Sequence, residues 1–154
     1  ESVMPAKGQP MPEFELPNQD GKIIKLSDLR GKRVVLFAFP KANTSGCTTQ
    51  ACGFRDRFAN ILTKNATVLG ISADPQKDLK KWKDQEGLQY DLLSDLDHAY
   101  LDALGVWQEK SMYGKTYWGI VRSHWVIDEN GSVLDDQIKI SPDESVKQAY
   151  DLLG

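Results

Sequence analysis

Apolar and polar positions follow two rhythms along this chain. Short alternating runs over residues 13–16 and 22–26 flank Asn18-Gln19-Asp20-Gly21 and predict a β-hairpin. Residues 27–31 read as a cap, one short turn and a glycine stop. Residues 33–39 (RVVLFAF) are a near-continuous run of β-branched and aromatic side chains, the pattern of a strand covered on both faces. Pro40 ends that run. From 44 to 64 the step changes to three and four, with Ala51, Phe54, Phe58, Ile61 and Leu62 on one face, which predicts a helix. Residues 67–72 (TVLGIS) predict a second buried strand. Asp74-Pro75 then reads as the N-cap and first position of a helix to about residue 86. Leu79 and Trp82 form its apolar stripe, and Gly87 stops it. A short strand at 90–93 and a short helix at 97–104 follow. Residues 105–119 read as a loop rich in glycine and aromatics. Strands at 120–127 and 132–140 surround the turn Asp128-Glu129-Asn130-Gly131, and Pro142 opens a last helix to residue 153.

Buried strands alternating with helices predict a layered α/β sheet, its antiparallel part supplied by the late hairpin. The order is that of a thioredoxin-like fold with an N-terminal hairpin extension. The expected organisation is one domain over residues 1–154. Residues 1–12, with Pro5, Pro10 and Pro12, form an extended arm.

Composition narrows the function classes. A chain of 154 residues with 40% apolar and 27% charged side chains is neither disordered nor fibrous. Nineteen basic residues against twenty-two acidic ones leave a net charge of -3, so neither nucleic acid nor an anionic membrane is an expected partner. No apolar stretch approaches the roughly 18 residues of a membrane span. The two cysteines, Cys47 and Cys52, are too few and too close to be a disulfide framework, and with two histidines they lack finger-like zinc spacing.

Cys47 falls just after a buried strand, in the first turn of the following helix. Free backbone N–H groups and the helix dipole favour a thiolate at such a position, and the thiolate is the reactive form. Thr44, three residues earlier, is placed either to cap the helix or to reach the sulfur, and spacing does not separate the two. Five residues of helix carry Cys52 roughly 500° around the axis and roughly 7.5 Å along it, leaving the Cα atoms roughly 8.7 Å apart. A disulfide needs about 4.4–6.8 Å. Bonding between the two cysteines therefore requires the start of the helix to unwind. The bland alternative is core filling, which suits Cys52, beside Ala51, better than Cys47.

Pro40-x-x-x-Thr44-x-x-Cys47 resembles the active-site signature of peroxiredoxins. The continuation Gly46-Cys47-Thr48-x-Gln50-Ala51-Cys52-x-Phe54-Arg55-Asp56 resembles the peroxiredoxin Q subfamily, also called bacterioferritin comigratory protein. Segments LGISAD (69–74) and LLSD (92–95), the 105–119 loop and residues 122–128 extend the resemblance over nearly the whole chain. Ser45 departs from it, standing where the family usually has proline. The resemblance implies an atypical two-cysteine thiol peroxidase without metal, flavin or haem. Cys47 would attack hydrogen peroxide or organic hydroperoxides and become a sulfenic acid. Cys52 would resolve it as a disulfide, and thioredoxin or a similar dithiol would reduce that. The same resemblance gives Thr44 a hydrogen bond to peroxide and sulfur, and gives Pro40 the shielding of the pocket. It assigns Arg122 to the thiolate and the peroxide, with Gln50 and Gly46 in support. It also implies a monomer, and a cycling thiol pair fits a reducing, cytoplasm-like setting.

Arg122 interrupts an apolar stretch, where an unpaired charge would be costly, although strand alternation also permits it to face outward. His98 and His124 read as structural or solvated. Trp107, Tyr113, Tyr117 and Trp118 admit either a channel for organic peroxides or packing within their own loop, the latter preferred. The charge run at 77–83 reads as a solvated helix face. Two other readings of the cysteine pair remain: a thioredoxin-like redox sensor using the same disulfide switch, and an inert structural disulfide.

Overall fold

A computed structural model describes residues 5–154. The N-terminal hairpin pairs β1 (Glu15–Pro17) with β2 (Ile23–Lys25), and a 3-10 turn, Leu26–Leu29, follows. The Asn18 side chain closes the hairpin by accepting the N–H groups of Asp20 and Lys22. Then come β3 (Arg33–Ala38), α1 (Ser45–Thr63), β4 (Ala66–Ser72), α2 (Gln76–Glu86), β5 (Leu92–Ser94) and α3 (Ala99–Ala103). The chain closes with β6 (Trp107–Met112), β7 (Lys115–Ile120), β8 (Ser123–Ile127), β9 (Val133–Ile138) and α4 (Pro142–Leu152).

The central sheet has the order β5-β4-β3-β8-β9. Its β3, β4 and β5 are parallel, and β8 and β9 add the antiparallel half. Alternation along β3 divides the core. Val35 and Phe37 point to the side covered by α1, α2 and α4, where they meet Phe54, Ile61, Trp82 and Ala149. Val34, Leu36 and Ala38 point to the side closed by the N-terminal hairpin, α3 and the start of β6. This is the thioredoxin-like α/β arrangement. Among the described residues no helix is long and apolar enough to cross a membrane.

Several elements differ from the sequence expectation. Residues 105–119 hold a β-hairpin rather than a loop. Its two-residue turn, Tyr113-Gly114, has both residues at positive φ, a conformation Asn-Gly usually announces and Tyr-Gly does not. The expected strand 120–127 is split, with β7 ending at Ile120 and β8 starting at Ser123. Arg122 therefore lies in the link between them and not within a strand. Helix α2 starts at Gln76 with Pro75 at its cap, because the Asp74 carboxylate is engaged elsewhere. On α1, Leu62 is exposed and Phe58 only partly buried, so the apolar face narrows toward its end. Lys83 is half-buried and donates to the carbonyls of Leu88 and Tyr90, so this member of the charge run anchors α2 instead of facing solvent. Where described, the expected extended arm instead holds a turn, with the Gln9 N–H donating to the Ala6 carbonyl and Gly8 at positive φ, before Pro10 bridges to Ser132. Gly8 and Met11 donate to Val133 and Gly131, and Val133 donates to Gln9; residues 1–4 lie outside the described residues.

Candidate active site

The buried strand β3 delivers the chain to Pro40, and the loop of residues 40–44 turns it into α1. That loop is tied down from below. One oxygen of the buried Asp74 carboxylate accepts the Ala42 N–H at 2.9 Å and the Ser72 hydroxyl at 2.7 Å. Thr44 occupies the N-cap with extended backbone, and its carbonyl accepts the Thr48 N–H. Its hydroxyl neither caps the helix nor reaches Cys47. It is exposed and donates back to the Lys41 carbonyl at 2.8 Å, a partner within its own loop.

Cys47 is the third residue of α1 and is 1% exposed. Arg122, from the β7–β8 link, is turned inward. Its Nη2 donates to Cys47 Sγ at 3.4 Å, and its Nη1 donates to Gln50 Oε1 at 2.8 Å. Gly46 makes this approach possible, since a Cβ there would stand 3.0 Å from Arg122 Nη2. One guanidinium thus bridges two residues of the same helical turn region, a task its fixed fork of donors suits. Gln50 is fully buried and donates from Nε2 to Ser145 Oγ on α4 at 2.9 Å. Ser145 Oγ lies 2.7 Å from His124 Nδ1.

His124 is fully buried, and burial holds its pKa down at about 4 against the pull of Asp135. Its Nε2 stands 3.8 Å from Asp135 Oδ2, longer than a hydrogen bond, and has no hydrogen-bond partner among the described residues. A second cation was not legible in the sequence. Lys110 on β6 donates to the Ile120 carbonyl at 2.9 Å. Burial lowers its pKa first and Arg122 second, while Cys47 pulls the other way. Had residues 107–112 been read as an alternating strand, an inward lysine there would have stood out.

Cys52 is on the same unbroken helix, partly buried. Its thiol donates to Glu86 Oε1 at 3.5 Å. Burial pushes that thiol up, and the Glu86 carboxylate adds to this while Arg55 opposes it. One residue earlier, the Ala51 carbonyl accepts the buried Tyr90 hydroxyl at 2.6 Å. Both cysteines are free.

Pro40 borders a cleft of about 320 Å³ with Lys110, Trp107, Tyr117, Trp118 and Ile120. Packing within their own segment holds for Tyr117, whose ring meets Lys110, and not for the others. Tyr113 is 97% exposed and Trp118 58% exposed, while Trp107 stacks on His98 at 3.8 Å. A second cleft beside Lys110 is bordered by Arg122, Lys139 and Ser141. The arrangement presents a sulfur in a helix's first turn, a guanidinium donating to it, and clefts on two sides of the flanking lysine.

Known proteins resemble this chain over most of its length. The AhpC/TSA family matches residues 7–135. Peroxiredoxin Bcp of Escherichia coli K12 is 45% identical over 126 residues, covering 82% of this chain and 81% of that protein. The crystal structure of peroxidoxin BcpB from Mycobacterium tuberculosis superposes with a TM-score of 0.86 at 34% identity, covering 97% of this chain and 96% of that one. Bacterioferritin comigratory protein of Xanthomonas campestris, described for its alkyl peroxide reduction activity, gives a TM-score of 0.87 at 27% identity over 99% of this chain and 97% of that one. The chain therefore belongs to the peroxiredoxins of the AhpC/TSA family, thiol-dependent peroxidases, and within them to the peroxiredoxin Q or Bcp type.

Proposed function

We propose that this chain, acting as one thioredoxin-like unit, reduces hydrogen peroxide and organic hydroperoxides with Cys47 as the attacking thiolate. The observation that carries the reading is the inward Arg122, donating to the sulfur of a cysteine in the first turn of α1. The Cys47 thiolate attacks one peroxide oxygen, so an S–O bond forms as the O–O bond breaks. The departing oxygen takes a proton and leaves as water or an alcohol. Arg122 and Lys110 oppose the charge that shifts from sulfur to that oxygen. Cys47 is left as a sulfenic acid. The Cys52 sulfur then attacks the Cys47 sulfur, an S–S bond forms, and water leaves. A dithiol of the thioredoxin kind reduces the disulfide by exchange.

The resolving step requires movement. Two positions five apart on an unbroken helix have Cα atoms roughly 8.7 Å apart. The first turns of α1 open, which also frees Cys52 from its burial near Glu86. Helix α1 begins at Ser45, which lacks the rigidity of the proline usual there in the family, and this favours opening at that end. Thr44, exposed in the reduced fold, turns toward the peroxide only when substrate arrives, and Pro40 screens the sulfur from the adjoining cleft.

The test is a titration of reduced protein with hydrogen peroxide, followed by mass. The wild type is expected to lose two hydrogens with no oxygen added, and Cys52→Ser to gain one oxygen. Cys47→Ser is expected to abolish peroxide turnover; full activity in that variant would overturn the reading.

A further inference from the structure

The buried polar chain behind Arg122 has a direction, and the direction comes from residues far from the sulfur in sequence. Gln50, Ser145 and His124 are each fully buried, so water cannot replace a missing partner. The two arms of the Gln50 amide have almost the same shape, and only hydrogen bonds decide which faces Arg122. A guanidinium has donors only, so it requires the oxygen arm. The nitrogen arm must then find an acceptor on the other side, and that acceptor is Ser145 Oγ at 2.9 Å. A hydroxyl can donate as well as accept, so Ser145 by itself enforces nothing. His124 removes the ambiguity. Asp135 Oδ2, at 3.8 Å from Nε2, is too far for a hydrogen bond, but its negative charge favours the tautomer with the hydrogen on Nε2, which leaves Nδ1 as an acceptor. Ser145 then donates to Nδ1 at 2.7 Å and offers its lone pairs to Gln50. Gln137 holds Asp135 in place from the same strand, at 3.2 and 3.3 Å.

We propose that Ser145 and His124 are positioning residues for the peroxide step: together they fix the Gln50 amide with its oxygen toward Arg122, and so hold the guanidinium on Cys47. Neither touches the reacting atoms. Without them the amide can rotate, N–H would then face N–H, and the guanidinium would lose the anchor that aims its other nitrogen at Sγ. Helix α4 contributes to the active site through Ser145 alone in this chain of contacts, although Ser145 lies 95 residues beyond Gln50. The inference rests on Cys47 being the attacking thiol.

The experiment is a double-mutant cycle read by stopped-flow reaction of the reduced protein with hydrogen peroxide. Ser145→Ala is expected to slow the second-order rate constant about tenfold, the scale of one hydrogen bond to a charged group. In the Gln50→Glu background both arms are oxygens and rotation no longer matters. There the same Ser145→Ala change is expected to cost less than about threefold, since no amide remains to be oriented. A merely structural role predicts equal losses in both backgrounds, and that result overturns the proposal. Should Ser145→Ala fail to fold, His124 decides. His124→Leu is expected to be slow, and His124→Asn, which restores an acceptor near the Nδ1 position, is expected to recover the rate. Equal rates in those two variants also overturn it. If Cys47→Ser is inactive but Ser145→Ala is as fast as the wild type, only the positioning role fails. If Cys47→Ser remains active, both readings fail together.

Discussion

Acid should destabilise this fold through one histidine, by an amount that can be worked out. His124 is fully buried and neutral, with a pKa of about 4 where an exposed histidine has 6.5. Burial is the cause, and the nearby Asp135 offsets only part of it. Above pH 6.5 the histidine is neutral in both the folded and unfolded chain and contributes no pH dependence. Between 6.5 and about 4 the unfolded chain binds a proton that the native one refuses, so stability falls as pH falls. Each pH unit in that window removes about 1.4 kcal/mol, giving about 3 kcal/mol in all. That is a large share of the roughly 5–15 kcal/mol that holds a domain together. The assay is urea unfolding by tryptophan fluorescence at several pH values, for the wild type and for His124→Asn. Asp95, whose carboxyl is pushed up by burial, acts in the opposite direction but is present in both proteins and cancels. The stability of the wild type relative to the variant should therefore decline by about 3 kcal/mol from about pH 7 to about pH 4. Parallel curves would refute the reasoning, and would mean that His124 titrates alike in the folded and the unfolded chain.

Two further outcomes are expected. Backbone amides over residues 46–54 should exchange faster in the peroxide-oxidised protein than in the reduced one, and equal protection would count against helix opening. Gly53→Ala should lower stability by about 1 kcal/mol, because a Cβ there would stand 2.7 Å from Val146 Cγ2, and the crowding outweighs the helix propensity alanine adds. Val146→Ala should relieve the cost of Gly53→Ala, and independence of the two would show that the helices simply move apart.

What could be read from the sequence was mostly local. The extent of α1, its start after Thr44 and the position of Cys47 in its first turn follow from short-range spacing, as do the buried strands β3 and β4. Tertiary partners were less legible. Asp74 looks like a helix cap from its neighbour Pro75, yet its carboxylate is drawn to Ala42 and Ser72, contacts that exist only once β4 lies beside the 40–44 loop. Arg122 was singled out as a charge inside an apolar run. The structure turns it inward as expected, but from a break between two strands, which the apolar residues on either side, Ile120-Val121 and Trp125-Val126-Ile127, conceal. Thr44 was placed by spacing at the right backbone position, while its rotamer, set by the Lys41 carbonyl, could not be foreseen. His124 looked unremarkable because its partners come from β9 and α4, neither of them near Cys47 in sequence.

The contact between Gly53 and Val146 has a meaning for any partner that must tell one redox state from the other. The two helices meet there at a distance no side chain can enter, and the Tyr90 hydroxyl grips the carbonyl of Ala51 just before it. In the cycle proposed above, and with both grips kept, everything in α1 beyond that seam looks alike from outside, whether Cys47 is reduced or bonded to Cys52. The molecule's oxidation state is then displayed on a narrow window, the turn from Pro40 to about Cys52. A reductant that docked anywhere else would have no means of knowing when it was needed.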